Sequence, residues 1–168
     1  YELIRPFGRS DLPEVPKYPE NERKLPVLVN YKSTVQFTKI LDDFQVKYKL
    51  LPKKYGGPTA LKQFKAFISL PYQVSTMKLY ENLAQGVVSL VPSPRFLRIL
   101  MSQPQFDFTP SSTTQDLGIN FWFKFIEFYN KDLKKFYYTF DSVEELKEIL
   151  ESVNFDAEGR GAKAKIFW

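Results

Sequence analysis

One short segment carries most of the residue types that could do chemistry. Residues 71–86 read PYQVSTMKLYENLAQG, with hydroxyls at Ser75 and Thr76 and a carboxylate at Glu81. The first amides of a helix lack intrahelical partners and carry partial positive charge, so a helix that begins near Ser75 offers an anion site. Glu81 would lie roughly 9 Å along that helix, with its side chain leaning back toward the helix start. A phosphate at the helix start and a ribose diol at the carboxylate would fit both ends of the segment.

The same residues have a plainer interpretation. Ser75 would then be an ordinary helix cap, and Glu81 a solvated residue on the outer face of an amphipathic helix. The residue pattern alone leaves both interpretations open.

Composition narrows the possible chemistry. The 168 residues include no Cys and no His. This excludes Cys nucleophiles, His general bases, disulfides and zinc sites of the usual kind, and we expect no metal site. Any catalysis would use carboxylates, Lys, Tyr, Ser, Thr or backbone dipoles. The compartment stays undetermined.

The charge balance bears on partners. The net charge is +5, and the basic residues are spread along the chain. A phosphate-bearing ligand, a membrane surface or a polyanion would suit this excess about equally, but the lack of clustering argues against nucleic acid. No apolar run approaches the roughly 20 residues of a membrane helix, so we expect no membrane segment in this chain.

Strand-like and helix-like segments alternate along the sequence. The predicted strands are 1–6, 25–31, 45–51, 65–70, 87–91 and 135–140. The predicted helices are 33–44, 59–64, 75–85, 92–102, 120–133 and 141–150. Their ends carry the usual signals: Gly86 after one helix, Ser93 and Pro94 at the next, and Asp141 or Ser142 with Glu144 or Glu145 at the last.

The spacing of these elements predicts the architecture. The intervals between strands are too long for hairpins and suit crossovers, and segment 87–91 is apolar enough to be buried on both faces. We therefore predict a single α/β domain over 1–168, a Rossmann-like and mostly parallel sheet with helices on both faces. A basic tail would begin at about 154. In such folds ligands bind at the carboxyl ends of the strands.

Residues 66–96 resemble the nucleotide-sugar-binding half of GT-B glycosyltransferases. The resemblance lies in a strand, a Pro-bearing loop, a helix with a Glu followed by Ala and Gly, and a strand that ends in Pro. The matching residues here are Pro71, Ser75, Thr76, Glu81, Ala84, Gly86, Val91 and Pro92. Many retaining members carry two Glu residues separated by seven others; Glu81 matches the second, whereas the first position holds Gln73. An amide can hydrogen-bond sugar hydroxyls but brings no charge.

Two other segments take on roles through this resemblance. Residues 3–10, LIRPFGRS, are similar to a first strand and its Gly loop, so Arg5, Gly8 and Arg9 are candidates for the diphosphate. Tyr55 and Gly56 follow the third predicted strand, where the family's loop meets the base. Each could equally be an ordinary loop residue.

One further candidate residue and one further segment complete the predicted site and domain. Lys32 follows the second predicted strand and is a further candidate for a phosphate contact. The segment 136–152, FYYTFDSVEELKEILES, resembles the family's closing strand and helix.

The resemblance implies a donor-binding domain. Its ligand would be a nucleoside-diphosphate sugar such as a UDP-sugar, with Ser75 and Thr76 at the diphosphate, Glu81 at the ribose and no other cofactor. An acceptor-binding half, upstream in the same chain, would be needed for transfer and would usually supply any catalytic base. Two alternatives stay open: an epimerase-like enzyme on nucleotide sugars, and a non-catalytic interaction domain that kept the fold.

Overall fold

The computed structural model describes residues 16–71, 77–103, 123–124 and 126–155. The helices are α1 (Glu20–Arg23), α2 (Lys32–Asp43), α3 (Gly57–Leu61), α4 (Met77–Gln85), α5 (Pro94–Ser102) and α6 (Val143–Ser152). The strands are β1 (Val27–Val29), β2 (Lys49–Leu51), β3 (Phe67–Ile68), β4 (Ser89–Pro92) and β5 (Tyr137–Phe140). The predicted strand 1–6 and nearly all of the predicted tail lie outside the described residues.

These strands form one sheet in the order β2-β1-β3-β4-β5, and every neighbouring pair is parallel. The register places Val27 opposite both Lys49 and Phe67, so β1 lies between β2 and β3. The predicted α/β, Rossmann-like class with a mostly parallel sheet is confirmed. Each parallel connection spans a helix, as crossover geometry requires.

Both faces of the sheet are buried. Leu28 belongs to the larger apolar cluster, whereas its neighbours Val27 and Val29 belong to a second one. Successive side chains of a strand point to opposite faces, so the two clusters lie on the two sides of β1. This explains why the central strands β1 and β3 are continuously apolar rather than alternating.

The helix-end signals predicted at Gly86, Ser93 and Pro94 are confirmed, whereas α2 begins one residue earlier than predicted, at Lys32, and α3 ends at Leu61 rather than at residue 64. Ser93 Oγ accepts a hydrogen bond from the Phe96 amide at 3.1 Å at the start of α5, and Pro94 is the first residue of that helix. Gly86 follows α4 with a φ of 73°, in the left-handed region that glycine adopts without penalty.

The start of α6 is a reciprocal cap. Ser142 Oγ accepts from the Glu145 amide at 3.2 Å, and Glu145 Oε2 accepts from the Asp141 amide at 2.5 Å. Of the two alternatives at each position, the cap is Ser142 and the returning carboxylate is Glu145.

Replacing Ser142 by Ala is expected to lower the free energy of unfolding by about 1 kcal/mol, because the Glu145 amide loses its acceptor at the helix start. Urea titration followed by circular dichroism measures the loss. Ser152→Ala at the other end of α6 is the control, since its exposed hydroxyl only bonds back to the Glu148 carbonyl. An equal loss in the two variants would contradict the cap assignment.

The predicted helix over 120–133 is wrong in its second half. Phe123 and Lys124 are helical, but Ile126 and Asn130 have extended backbones with ψ of 118° and 128°. Between them lies a single 3₁₀ turn. Long-range contacts fix this conformation: the Tyr129 hydroxyl donates to the Pro92 carbonyl at 2.8 Å.

The helical spacing of Phe121, Phe125 and Phe128 predicts that all three pack in the core, and this is confirmed for Phe128. Its side chain is buried, and its ring meets the Tyr137 ring edge-on with centroids 5.9 Å apart. Phe121 and Phe125, the other predicted core aromatics, lie outside the described residues.

Candidate functional site

The strand order reverses between β1 and β3. From β1 the chain moves outward to β2, whereas from β3 it moves the other way to β4 and β5. The crossover helices on the two sides therefore diverge, and a crevice opens at the carboxyl ends of these two neighbouring strands. Ligands of open parallel α/β sheets bind at this kind of place.

A cleft of about 100 Å³ lies at that position. It is lined by the carboxyl ends of β1 and β3, the first turn of α2, and one residue of α4. The lining residues are Val29, Tyr31, Ser33, Thr34, Phe67, Ile68, Ser69, Leu70 and Lys78.

One wall of this cleft is the start of α2. Tyr31 is the N-cap residue, and it makes no side-chain capping hydrogen bond. The first amides of a helix have no intrahelical acceptor, so this end of α2 carries partial positive charge. Ser33 and Thr34 bring hydroxyls to the same wall, and Ser69 brings a third from the end of β3. This combination suits an anion.

The cleft is also lined by a cation, Lys78, in the first turn of α4. Its Nζ lies 4.4 Å from the centre of the Phe67 ring, 4.8 Å from that of Tyr55 and 5.6 Å from that of Tyr31. All three distances are within cation–π range. We call these three rings the aromatic cage.

The cage changes the acidity of the amine. Burial lowers the pKa of Lys78 to about 8, and the nearby Glu81 carboxylate partly opposes this change. A lysine with this pKa is mostly charged at pH 7 but has an appreciable neutral fraction.

Four of the residues predicted from sequence are described: Lys32, Tyr55, Gly56 and Glu81. Glu81 lies one turn after Lys78 on α4, close enough to act on its charge, although it does not line the cleft. Tyr55 packs one ring face toward the Lys78 ammonium, so a base could stack on that face only by displacing the lysine. Gly56 has a φ of 97° and is the N-cap of α3, a conformation that favours glycine.

The remaining predicted residues lie outside the described part of the chain. They are Arg5, Gly8, Arg9, Gln73, Ser75 and Thr76. Lys32 is the first residue of α2, whose start forms one wall of the cleft.

Sequence reasoning missed Lys78. The available signal was its position three residues before Glu81, which places both on one helix face. Nothing local to Lys78 indicates the cage, because its rings come from three other segments of the chain. The phosphate-binding potential of the α2 start was likewise assigned only through Lys32.

No family model, curated protein or solved structure matches this chain. Within the described ranges, no helix has the length and apolar character needed to cross a bilayer. In the same part of the chain, acidic side chains do not gather into a group of three that could hold a metal ion.

Proposed function

We propose that this domain binds a nucleoside-diphosphate sugar, as the donor-binding half of a glycosyltransferase. The observation that supports this most is the cleft at the strand-order reversal, which is lined by both Lys78 and the positive start of α2. Both of these lining groups favour a ligand with concentrated negative charge.

The diphosphate would lie between these groups. The Lys78 ammonium and the Ser33 and Thr34 hydroxyls would donate hydrogen bonds to its oxygens, and the first amides of α2 would add their dipoles. In a transfer reaction the same groups would stabilise the charge that develops on the departing diphosphate.

Glu81 would accept hydrogen bonds from the ribose diol. It lies on the same helix as Lys78, farther from the α4 start. A carboxylate beside the Lys78 ammonium, rather than at the diphosphate itself, avoids direct repulsion of the phosphates. It can still accept hydrogen bonds from the two ribose hydroxyls.

The size of the cleft agrees with a half site. Pockets for whole small-molecule ligands enclose about 300–1,000 Å³. The cleft encloses about 100 Å³, enough for the phosphates but not for the whole donor. Closure by an acceptor-binding half would supply the remaining walls, and the domain alone would bind nucleotide weakly and transfer no sugar.

Calorimetric titration with UDP and with GDP tests this proposal. Lys78→Met is expected to weaken binding about tenfold to hundredfold, the loss typical of a hydrogen bond to a charged group. Glu81→Ala is expected to weaken it about tenfold, since this carboxylate is partly solvated. Lys39→Met and Glu151→Ala remove exposed charges on α2 and α6 and serve as matched controls.

Uridine and guanosine separate the two contacts. They lack phosphates, so they should bind Lys78→Met as they bind the wild type while still responding to Glu81→Ala. Unchanged UDP affinity in Glu81→Ala would rule out the ribose role. Absence of any UDP or GDP binding by the wild type would contradict the proposal and favour an interaction domain that kept only the fold.

A further inference from the structure

We propose that the Lys78 amine is a covalent attachment site for small phosphate-bearing aldehydes. This site uses the same cleft but does not depend on nucleotide-sugar binding. It requires an amine that lines the cleft and a phosphate-binding position close enough for one small molecule to reach both.

The amine lies over three aromatic rings, more than any other lysine with described contacts: Lys65 lies over one ring, that of Phe155 at 5.7 Å, and Lys147 donates to the Phe44 carbonyl at 3.4 Å. Lys24 and Lys49 form ion pairs with carboxylates, at 3.2 and 2.7 Å. Nζ of Lys78 instead faces the aromatic cage, and among the described residues no carboxylate pairs with it directly. Apolar surroundings disfavour the charged ammonium and are a known way of activating lysine amines toward carbonyl compounds.

The proposed phosphate position is the start of α2. The start of α2, with the Ser33 and Thr34 hydroxyls, faces the same 100 Å³ cleft as Lys78. That volume suits a molecule of a few carbon atoms that carries one phosphate. Binding of the phosphate would hold the aldehyde carbon beside the amine, which raises the effective concentration of the two reacting groups.

The reaction needs no further reagent. The ammonium releases a proton to solvent, and the amine nitrogen attacks the aldehyde carbon to form a carbinolamine. Loss of water then gives an imine. The phosphate group does not react and stays attached to the bound molecule.

The acidity of the amine agrees with this chemistry. The lowered pKa of Lys78, about 8, gives a larger neutral fraction at pH 7 than an exposed lysine has. Among the residues that the structure describes, the titratable groups around the amine are the Glu81 carboxylate on its own helix and the hydroxyls of Tyr31 and Tyr55 in the cage.

The test treats the wild-type protein with glyceraldehyde 3-phosphate and traps the imine with cyanoborohydride. Peptide mass spectrometry then gives the labelling rate of each lysine in one sample. We expect Lys78 to be labelled at least about tenfold faster than the exposed Lys39, because the neutral fraction of an amine rises about tenfold for each unit that its pKa falls. Phosphate-free glyceraldehyde is expected to label Lys78 much more slowly.

Two variants check the assignment. Lys78→Arg should lose the label at this position and leave the other sites unchanged. Thr34→Val, which keeps the side-chain shape, should reduce the preference for the phosphorylated aldehyde. Labelling spread evenly over the lysines, or equal rates at Lys78 with the two aldehydes, would overturn the proposal; this comparison uses the wild type alone and needs no variant to fold.

Discussion

Replacing Lys78 by Met is expected to raise the free energy of unfolding at pH 7 by up to about 3 kcal/mol. Burial holds the pKa of this lysine at about 8 in the folded domain, below its usual 10.5. Each unit of difference corresponds to about 1.4 kcal/mol between the two states. Attraction to the aromatic cage offsets part of this cost, so the figure is an upper value.

The pH dependence gives this prediction its specific form. Between pH 8 and about 10.5 the unfolded chain binds more protons at this residue than the folded domain does, so wild-type stability rises with pH in that window. Below pH 8 the full cost is present. The advantage of Lys78→Met should therefore shrink from about 3 kcal/mol at pH 7 to less than about 1 kcal/mol at pH 10.

Urea unfolding of both proteins at pH 7 and pH 10 measures this difference. Lys39→Met is the control, because it removes an exposed lysine and should change stability by less than about 0.5 kcal/mol at either pH. If Lys78→Met and the wild type were equally stable at pH 7, the ammonium would carry no burial cost and the cleft would be wetter than its ring lining indicates.

A residue that lowers stability in this way is informative about function. An apolar side chain at position 78 would pack against the same three rings without the cost of burying a charge. At Lys78 the conflict between stability and residue type lies in the cleft, and functional sites are where proteins tend to violate the rules that the rest of a fold obeys. The proposed nucleotide-sugar function requires reduced nucleotide affinity in Lys78→Met, and burial of the ammonium requires raised stability in the same variant.

The sequence predicts local features of this fold well. The α5 cap at Ser93, the left-handed Gly86 and the α6 cap at Ser142 each depend on a hydrogen bond or backbone angle set within four residues. The parallel sheet follows from apolar strands separated by crossover-length segments. These signals are all contained in short windows of sequence.

Features that depend on distant residues were not predictable in the same way. The apolar residues of segment 120–133 have helical spacing. The Tyr129 hydroxyl nevertheless donates to the Pro92 carbonyl, and the chain around it forms a 3₁₀ turn instead of continuing the helix. The cage around Lys78 joins rings from β3, from the loop after β1 and from the loop after β2. The strand order that creates the cleft is also a non-local property, since the same segments could be arranged in other parallel orders.

Replacing Phe140 by Ala is expected to lower the free energy of unfolding by about 3–5 kcal/mol. The side chain is fully buried at the end of β5, which lies at one edge of the sheet that the structure describes. The centre of its ring lies 6.3 Å from the centre of the Phe37 ring on α2 and 5.9 Å from the centre of the Phe96 ring on α5. Truncation leaves a cavity between two helices and the strand, and both neighbouring rings lose contacts that the surrounding structure can only partly restore.

Guanidinium unfolding followed by intrinsic fluorescence measures the loss. Ile99→Ala on α5 is the matched control: this apolar side chain is 42% exposed, so its truncation should cost less than about 0.5 kcal/mol. A loss below about 1 kcal/mol for Phe140→Ala would mean that the helices close over the space and that this core is not rigidly packed. Phe140 does not line the cleft, so conditions that keep the variant folded should leave UDP affinity at the wild-type value. The two substitutions then separate opposite roles: Phe140 contributes stability without binding, whereas Lys78 is proposed to contribute binding at the expense of stability.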